Sequence, residues 1–435
     1  MKVEDLIIIS VDDHVIEPPD VFERHLPASL KDKAPQMKRD AQGNHYWIYE
    51  DRVVANVGLN AVAGRPPEEY GCEPTALEHM RAGAYDIHAR IGDMNVNGVL
   101  GSICFGSFVS FDGGFFNGAK DKALTNHMVS AYNDWHIDDW AGAYPGRFIP
   151  MAITPMWDVA EMVVEIKRVV NKGCRAITFP DNPAMKGLPS LHDDYWEPLW
   201  KVCADEGVVI CCHIGTGAAP PHSSMKTPIE AWITSFPMTI ANSAADWLYL
   251  RAFEKYPTLK IALSEGGIGW VPYFLERADF VHAHHKAWTH VDFGKKLPSD
   301  VFREHFITCF IDDQFGLRNR DAIGIDIICY ECDYPHSDCV WPNSPELLHA
   351  SLKALPDHEI NAVTHLNAMR EFHYDPFSIL GRENCTVGAL RALAKDVDVT
   401  PKSLGGGRPL EEGVKRRVTS GDVMKLFAVN AGEAA

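Results

Sequence analysis

A (β/α)8 barrel, the TIM-barrel class of α/β fold, is what this 435-residue sequence predicts, on two observations. Eight short apolar runs of strand length recur along the chain, and the segments between them are amphipathic, with apolar residues spaced near 3.6 over three turns or more. The first run, LIIISVD (6–12), is followed by VLGSICF (99–105), FIPMAI (148–153) and CRAITF (174–179). VVICCH (208–213), LKIALSE (259–265), HFITCFI (305–311) and IDIICYECD (325–333) complete the set. Helices are expected at 159–170, 194–206, 241–255 and 271–287, among others. A barrel needs only about 250 residues, so the surplus must sit in insertions. Residues 27–75, rich in Pro, Gly, Asn and charge, follow strand one and are expected over or beside the barrel mouth or in an oligomer contact. The barrel with this insertion occupies 1–375. Residues 376–435 form a C-terminal extension carrying GGGRP (405–409) and KRR (415–417), with a short helix expected at 421–429.

Composition removes several functions. Fifty-nine acidic against 41 basic residues give a net charge of −18, which argues against a nucleic-acid backbone or an anionic membrane as partner. The apolar runs fall far short of the roughly 20 residues that span a bilayer, and the start MKVEDLIIIS has no signal-peptide pattern, so a cytoplasmic location is expected. The 11 cysteines are an odd number, and Cys211 and Cys212 are adjacent in an apolar run, which reads as buried reduced thiols without a disulfide framework. No GxSxG, GxGxxG or P-loop motif is present.

In such a barrel the reactive groups come from the C-terminal ends of the strands. Strand one ends in Asp12-Asp13-His14, and residues two apart in an extended chain share a face, so Asp12 and His14 can reach one ion together. Strand five ends in His213, where a polar aromatic closing an apolar run is either a capped core histidine or a ligand at the mouth. Strand eight ends in Asp333, ahead of Tyr334-Pro335-His336; its carboxylate needs a cation or several donors, or serves as the N-cap of the next segment. Two nitrogen and two oxygen ligands suit Zn²⁺ first, with Mn²⁺ or Fe²⁺ as alternatives.

The opening VDDHVIEPPDVF, the segment SEGGIGWVPYFLERAD (264–279) and ECDYPHSDCVWPNSPE (331–346) resemble the amidohydrolase superfamily, in particular its amidohydrolase-2 branch of metal-dependent hydrolases and decarboxylases. The resemblance runs from strand one through NAMREFHYDP (367–376). It implies that Asp12, His14, His213 and Asp333 are metal ligands. The chain departs from the wider pattern at its first position, Asp12, where many members have histidine and some decarboxylases glutamate. It departs again at the end of strand six, where Glu265 stands before Gly266-Gly267 and the decarboxylases carry a catalytic histidine. Strand four ends in Thr178-Phe179-Pro180, without the lysine of carbamate-bridged metal pairs.

The expected activity is hydrolysis of an amide, ester or thioester of a small organic substrate by metal-activated water. Asp333 or Glu265 would take the proton and His336 would return it to the leaving group. Glu265 and His336 could instead hold a second ion, or Glu265 could cap the helix starting near Trp270 and His336 bond to backbone. The rival activity is non-oxidative decarboxylation of an aromatic or enol carboxylic acid, and a third reading is a barrel that only binds. His282, His284 and His285 lie about 18 Å along their helix from the mouth and are expected at a surface or interface. The tryptophans at 135, 140, 196, 200, 247 and 270 are expected to pack in the core, and Gly215-Thr216-Gly217 to form a flexible mouth loop. A homodimer is expected.

Overall fold

The computed structural model describes residues 1–71, 74–217, 223–406 and 417–423. The helix expected at 421–429 and Pro220-Pro221 therefore lie wholly or mostly outside the described residues. Each of the eight runs contributes one strand to a single parallel sheet: β1 (Ile9–Val15), β5 (Gly101–Gly106), β6 (Met151–Ala152), β7 (Ala176–Thr178), β8 (Val209–His213), β9 (Lys260–Ser264), β10 (Phe306–Phe310) and β11 (Ile328–Tyr330). The order β5-β1-β11-β10-β9-β8-β7-β6 follows the chain around a barrel. A parallel bridge from Ser102 to Phe148 closes the remaining seam between the first and last strands of that order. Strands buried on both faces read as continuous apolar runs, which is why alternation is absent from the sequence.

Alternate residues fill two layers. Ile9, Val11, Cys211, Ala262, Cys309 and Cys329 pack inside the barrel, whose lower end is sealed by Ala368, Phe372, Cys385 and Leu390. Ile8, Ile210, Cys212, Ile261, Phe310 and Tyr330 face the surrounding helices. Cys329 and Cys332, spaced as CxxC, thus go separate ways: Cys332 Sγ lies 3.6 Å from Cys339 Sγ, outside the barrel. The ten cysteines among the described residues are free and buried. No helix among the described residues is long and apolar enough to cross a membrane.

The helices Val159–Val170 and Val271–Thr289 match expectation. The stretch 241–255 is two helices instead of one, Met238–Leu248 and Ala252–Lys255, because the chain turns at 249–251 to re-enter the sheet. The insertion holds a structure the sequence reading did not resolve, an antiparallel sheet of β2 (Gln36–Arg39), β3 (His45–Tyr49) and β4 (Arg52–Val54). It sits beside the mouth: Trp47 stacks on Phe108 at 4.5 Å, and the amide of Ala63 donates to the carbonyl of Pro335. Trp135, Trp140, Trp196, Trp200 and Trp247 are buried core residues, whereas Trp270 lines a cavity at the mouth. His284 and His285 lie against Phe280 and Trp288 on the outside of their helix, while His282 is buried against Phe293.

Candidate metal centre

The strands deliver their terminal side chains by three different local devices. At β8 simple alternation suffices: Cys211 points inward, and so does His213. On β1 a bulge is needed. Ser10 pairs with Ser102 but Asp13 pairs with Cys104, so one extra residue of β1 is accommodated between them and the side chains change parity. Ile7, Ile9 and Val11 face inward below the bulge; above it Asp12 and His14 join the mouth cluster and Asp13 turns aside. Asp13 accepts hydrogen bonds from the Ser102 hydroxyl and from the Tyr334 amide at 2.9 Å. Beyond β9 and β11 the chain turns through left-handed backbone at Glu265 and Asp333, each with φ of 57°. Such a conformation costs a non-glycine residue of order 1–3 kcal/mol and persists only where the surroundings impose it. Here they do. The Asp333 amide donates to the Asp12 carbonyl (2.9 Å), the His14 amide to the Tyr334 carbonyl (2.7 Å), and the Glu265 amide to Glu331 Oε2 (3.0 Å).

These devices bring all six predicted side chains together. His14 Nε2 lies 3.1 Å from Asp333 Oδ1 and 3.7 Å from Asp12 Oδ1. His213 Nε2 lies 3.5 Å from Asp12 Oδ2 and 3.2 Å from Glu265 Oε2, and His336 Nδ1 lies 2.9 Å from Asp333 Oδ1. The ligand-type atoms group into two triads that share His14: Asp12, His14 and His213, and His14, Asp333 and His336, each with atoms within 4.8 Å of one another. Asp333 does not cap the following segment, and the turn after Glu265 is capped by Asp313, whose carboxylate accepts from the amides of Ile268 (2.9 Å) and Gly269 (2.5 Å). Gly215-Thr216-Gly217 is pinned instead of loose: the buried Thr216 hydroxyl donates to the His213 carbonyl at 2.8 Å and receives the Asp181 amide at 3.0 Å.

The electrostatics fit a cation. Asp12, Glu265 and Asp333 have pKa values well above the usual carboxylate range, foremost because they are buried and then because they face one another and Glu331. Arg90 acts on Asp13 and His14 instead. Burial also holds His14 far below its usual value and His213 at about 3, so both imidazoles are neutral with lone pairs to give. His213 Nδ1 donates to the Ile214 carbonyl at 2.7 Å, which fixes the tautomer and leaves Nε2 as the free donor atom, the arrangement metal-binding histidines use. Both oxygens of Asp12 and of Asp333, both nitrogens of His14 and Nε2 of His213 are buried and make no well-formed hydrogen bond. Buried polar atoms left this way cost free energy unless something binds them. A divalent ion satisfies carboxylate oxygens and neutral imidazole nitrogens at once.

Four contributors escaped the sequence reading. Glu331 is buried at the mouth with its pKa pushed up to about 7, chiefly by burial, and also contacts Cys309 Sγ at 2.6 Å. Its signal was parity, since it stands two residues after the inward Cys329. Arg90, fully buried, donates to the carbonyls of His14 and of Gly83. Phe111 covers the imidazoles, with ring centroids 4.5 Å from His14 and 4.4 Å from His213. Its loop is anchored by Glu17, whose carboxylate receives the amides of Phe108 (2.7 Å) and Ser107 (3.2 Å) and the Tyr132 hydroxyl (3.1 Å). A Cβ on Gly106 would fall 2.1 Å from that hydroxyl, so only glycine fits there. Nothing in sequence spacing marks Arg90, Phe111 or Glu17.

Burial raises Glu17 from the ordinary 4.5 to about 7. A carboxyl whose folded pKa exceeds its unfolded one keeps its full contribution to stability below about 4.5 and loses it as pH rises toward about 7, here about 3 kcal/mol in all. Glu17→Gln removes that loss while keeping an oxygen to accept the loop amides. Denaturant midpoints at pH 5 and pH 8 should therefore fall less in the variant than in the parent. Parallel decreases would show that Glu17 does not titrate there.

An eight-stranded parallel barrel with imidazoles and carboxylates converging at its C-terminal mouth defines a barrel enzyme built to use a metal ion. The chain belongs to the amidohydrolase family, whose sequence model matches residues 86–373. No curated protein matches it in sequence. In fold it is similar to an amidohydrolase from Mycobacterium avium subsp. paratuberculosis K-10, at 20% identity over 84% of this chain and 99% of the other, with a TM-score of 0.64. It is similar to a 2,6-dihydroxybenzoate decarboxylase from Rhizobium at 16% identity, 84% and 98% coverage and a TM-score of 0.54. A dihydroxybenzoic acid decarboxylase from Polaromonas sp. JS666, with bound manganese and the inhibitor 2-nitroresorcinol, matches at 20% identity, 71% and 90% coverage and a TM-score of 0.52. The protein is a metal-dependent enzyme of the amidohydrolase superfamily.

Proposed function

We propose that the enzyme hydrolyses an amide, ester or thioester of a small organic substrate. The observation that carries this reading is the carboxyl cluster of the mouth: Asp12, Glu331 and Asp333 are buried and Glu265 is half-buried beside them. What acts on the pKa values of Asp12, Glu265 and Asp333 is burial and neighbouring carboxyls, with Arg90 acting on Asp13 and His14 instead. A carboxylic acid substrate entering beside them would meet repulsion that grows as water is excluded, whereas a neutral carbonyl compound would not. Asp12, His14, His213 and Asp333 would hold one divalent ion, zinc first, with manganese or iron as alternatives. When bound, the ion would lower the pKa of a water molecule and polarise the substrate carbonyl.

The residues of the chain do the remaining work. Glu265, raised in pKa by its surroundings, takes the proton of the attacking water, and its left-handed backbone, fixed by Glu331, aims the carboxylate at the His213 side of the cluster. His336, beside Asp333 and stacked on His14 at 3.7 Å, returns a proton to the leaving group. Phe111 keeps bulk water from the imidazoles. The pairing of His213 with Glu265, and of Asp333 with His336, also supports a second ion at those positions.

Decarboxylation is the second reading, favoured by the decarboxylases among the similar structures, one of them with manganese bound. Product analysis separates the two. The metal-loaded protein should release acid from neutral esters or thioesters and no CO₂ from hydroxybenzoic acids; CO₂ release without ester cleavage would replace hydrolysis by the second reading.

A further inference from the structure

Beside Glu265 and Glu331 opens a cavity of about 380 Å³, within the range of small-molecule sites. One wall is apolar and comes from Ile214, Ile233, Phe236, Met238, Trp270 and Phe310. Ile233 and Met238 are each 48% exposed among the described residues, large side chains presented to the opening. Phe236 is braced by stacking on Trp232 at 4.5 Å. The Trp270 indole N–H is already engaged by the carbonyls of Gly266 (3.0 Å) and Gly267 (3.1 Å), so what the ring offers the cavity is its apolar surface.

The opposite wall is acidic. Asp313 is occupied with backbone amides, Asp312 receives the Ser351 hydroxyl and Glu331 receives the Glu265 amide, while Glu265 and Asp338 complete this wall. Among the described residues that line it there is no lysine, arginine or histidine. Even with one divalent ion bound by Asp12 and Asp333, this wall presents the carboxyl groups of Glu265, Glu331 and Asp338 and no cationic side chain among the described residues. A guest must therefore bury apolar surface against one wall without bringing negative charge to the other.

We infer that this cavity takes the non-reacting end of the substrate, an apolar group without negative charge, and that the wall of Ile233, Phe236 and Met238 sets the specificity. This rests on the proposed hydrolysis only in placing the reacting carbonyl beside Glu265.

Two hydroxamic acids test it, because the hydroxamate anchors on a divalent ion whatever reaction the enzyme performs: hexanohydroxamic acid, with an apolar end, and adipic acid monohydroxamate, with a carboxylate at the same distance. Their dissociation constants are measured by calorimetry on the metal-loaded protein and on Met238→Lys, an exposed rim position outside the catalytic groups. The neutral probe should bind the parent at least tenfold tighter than the carboxylate probe, and Met238→Lys should narrow that gap at least threefold. Equal binding of the two probes, binding of neither, or a gap unchanged in Met238→Lys overturns the inference. The hydrolytic reading fails separately: a probe preference without ester cleavage would remove the reaction and leave the cavity's selectivity standing.

Discussion

Asp333→Asn and His213→Ala are each expected to empty the metal centre and lower turnover by about three powers of ten or more. The magnitude follows from what the ion supplies: several kcal/mol of transition-state stabilisation, at about 1.4 kcal/mol per tenfold in rate. The two variants act through different atoms. Asn keeps the shape of Asp333 but removes the negative charge next to His14 Nε2 and His336 Nδ1. His213→Ala removes an imidazole whose tautomer is fixed by a backbone carbonyl, leaves Glu265 without this nitrogen neighbour and leaves Asp12 with His14 alone. Metal content by elemental mass spectrometry, read beside activity, separates loss of the ion from loss of fold. Full metal and full activity in both variants would remove these residues from the site.

Much of this arrangement was legible because parallel strands carry a period of two, and the strand ends carry ligand-type residues. His213 follows directly from Cys211, and counting from Cys329 would have given Glu331 as well as Asp333. On strand one the same count from Ile7, Ile9 and Val11 gives the wrong acid, Asp13; Asp12 and His14 reach the cluster only because a bulge shifts the register, and bulges leave little trace in a single sequence. Glu265 has the outward parity of Leu263 and is turned into the site by its backbone conformation. Phe111, Glu17 and Arg90 come from loops and a helix whose approach to the mouth depends on tertiary packing, and local spacing does not encode that. The sheet inside 27–75 escaped because its strands are only three to five residues long and half-exposed, too short to show alternation.

Glu265→Gln is the substitution that decides the reaction. Gln fits the same space and keeps the backbone N–H that binds Glu331, so the left-handed turn survives. What it cannot do is accept a proton. A general base commonly contributes about 10²- to 10⁴-fold, and it works best with a pKa lifted toward the working pH, which burial among Asp333, Glu331 and Asp338 does for Glu265. The variant should hence retain its ion and hydrolyse at least about a hundredfold more slowly, with the loss in kcat instead of KM because the neutral substrate's ground state does not need the charge. Loss of the ion along with the rate would assign Glu265 to a second metal position with His213. An ion and rate both unchanged, in a protein that releases CO₂ from a carboxylic acid, would mean that Glu265 takes no proton, and decarboxylation would then be the activity of this barrel.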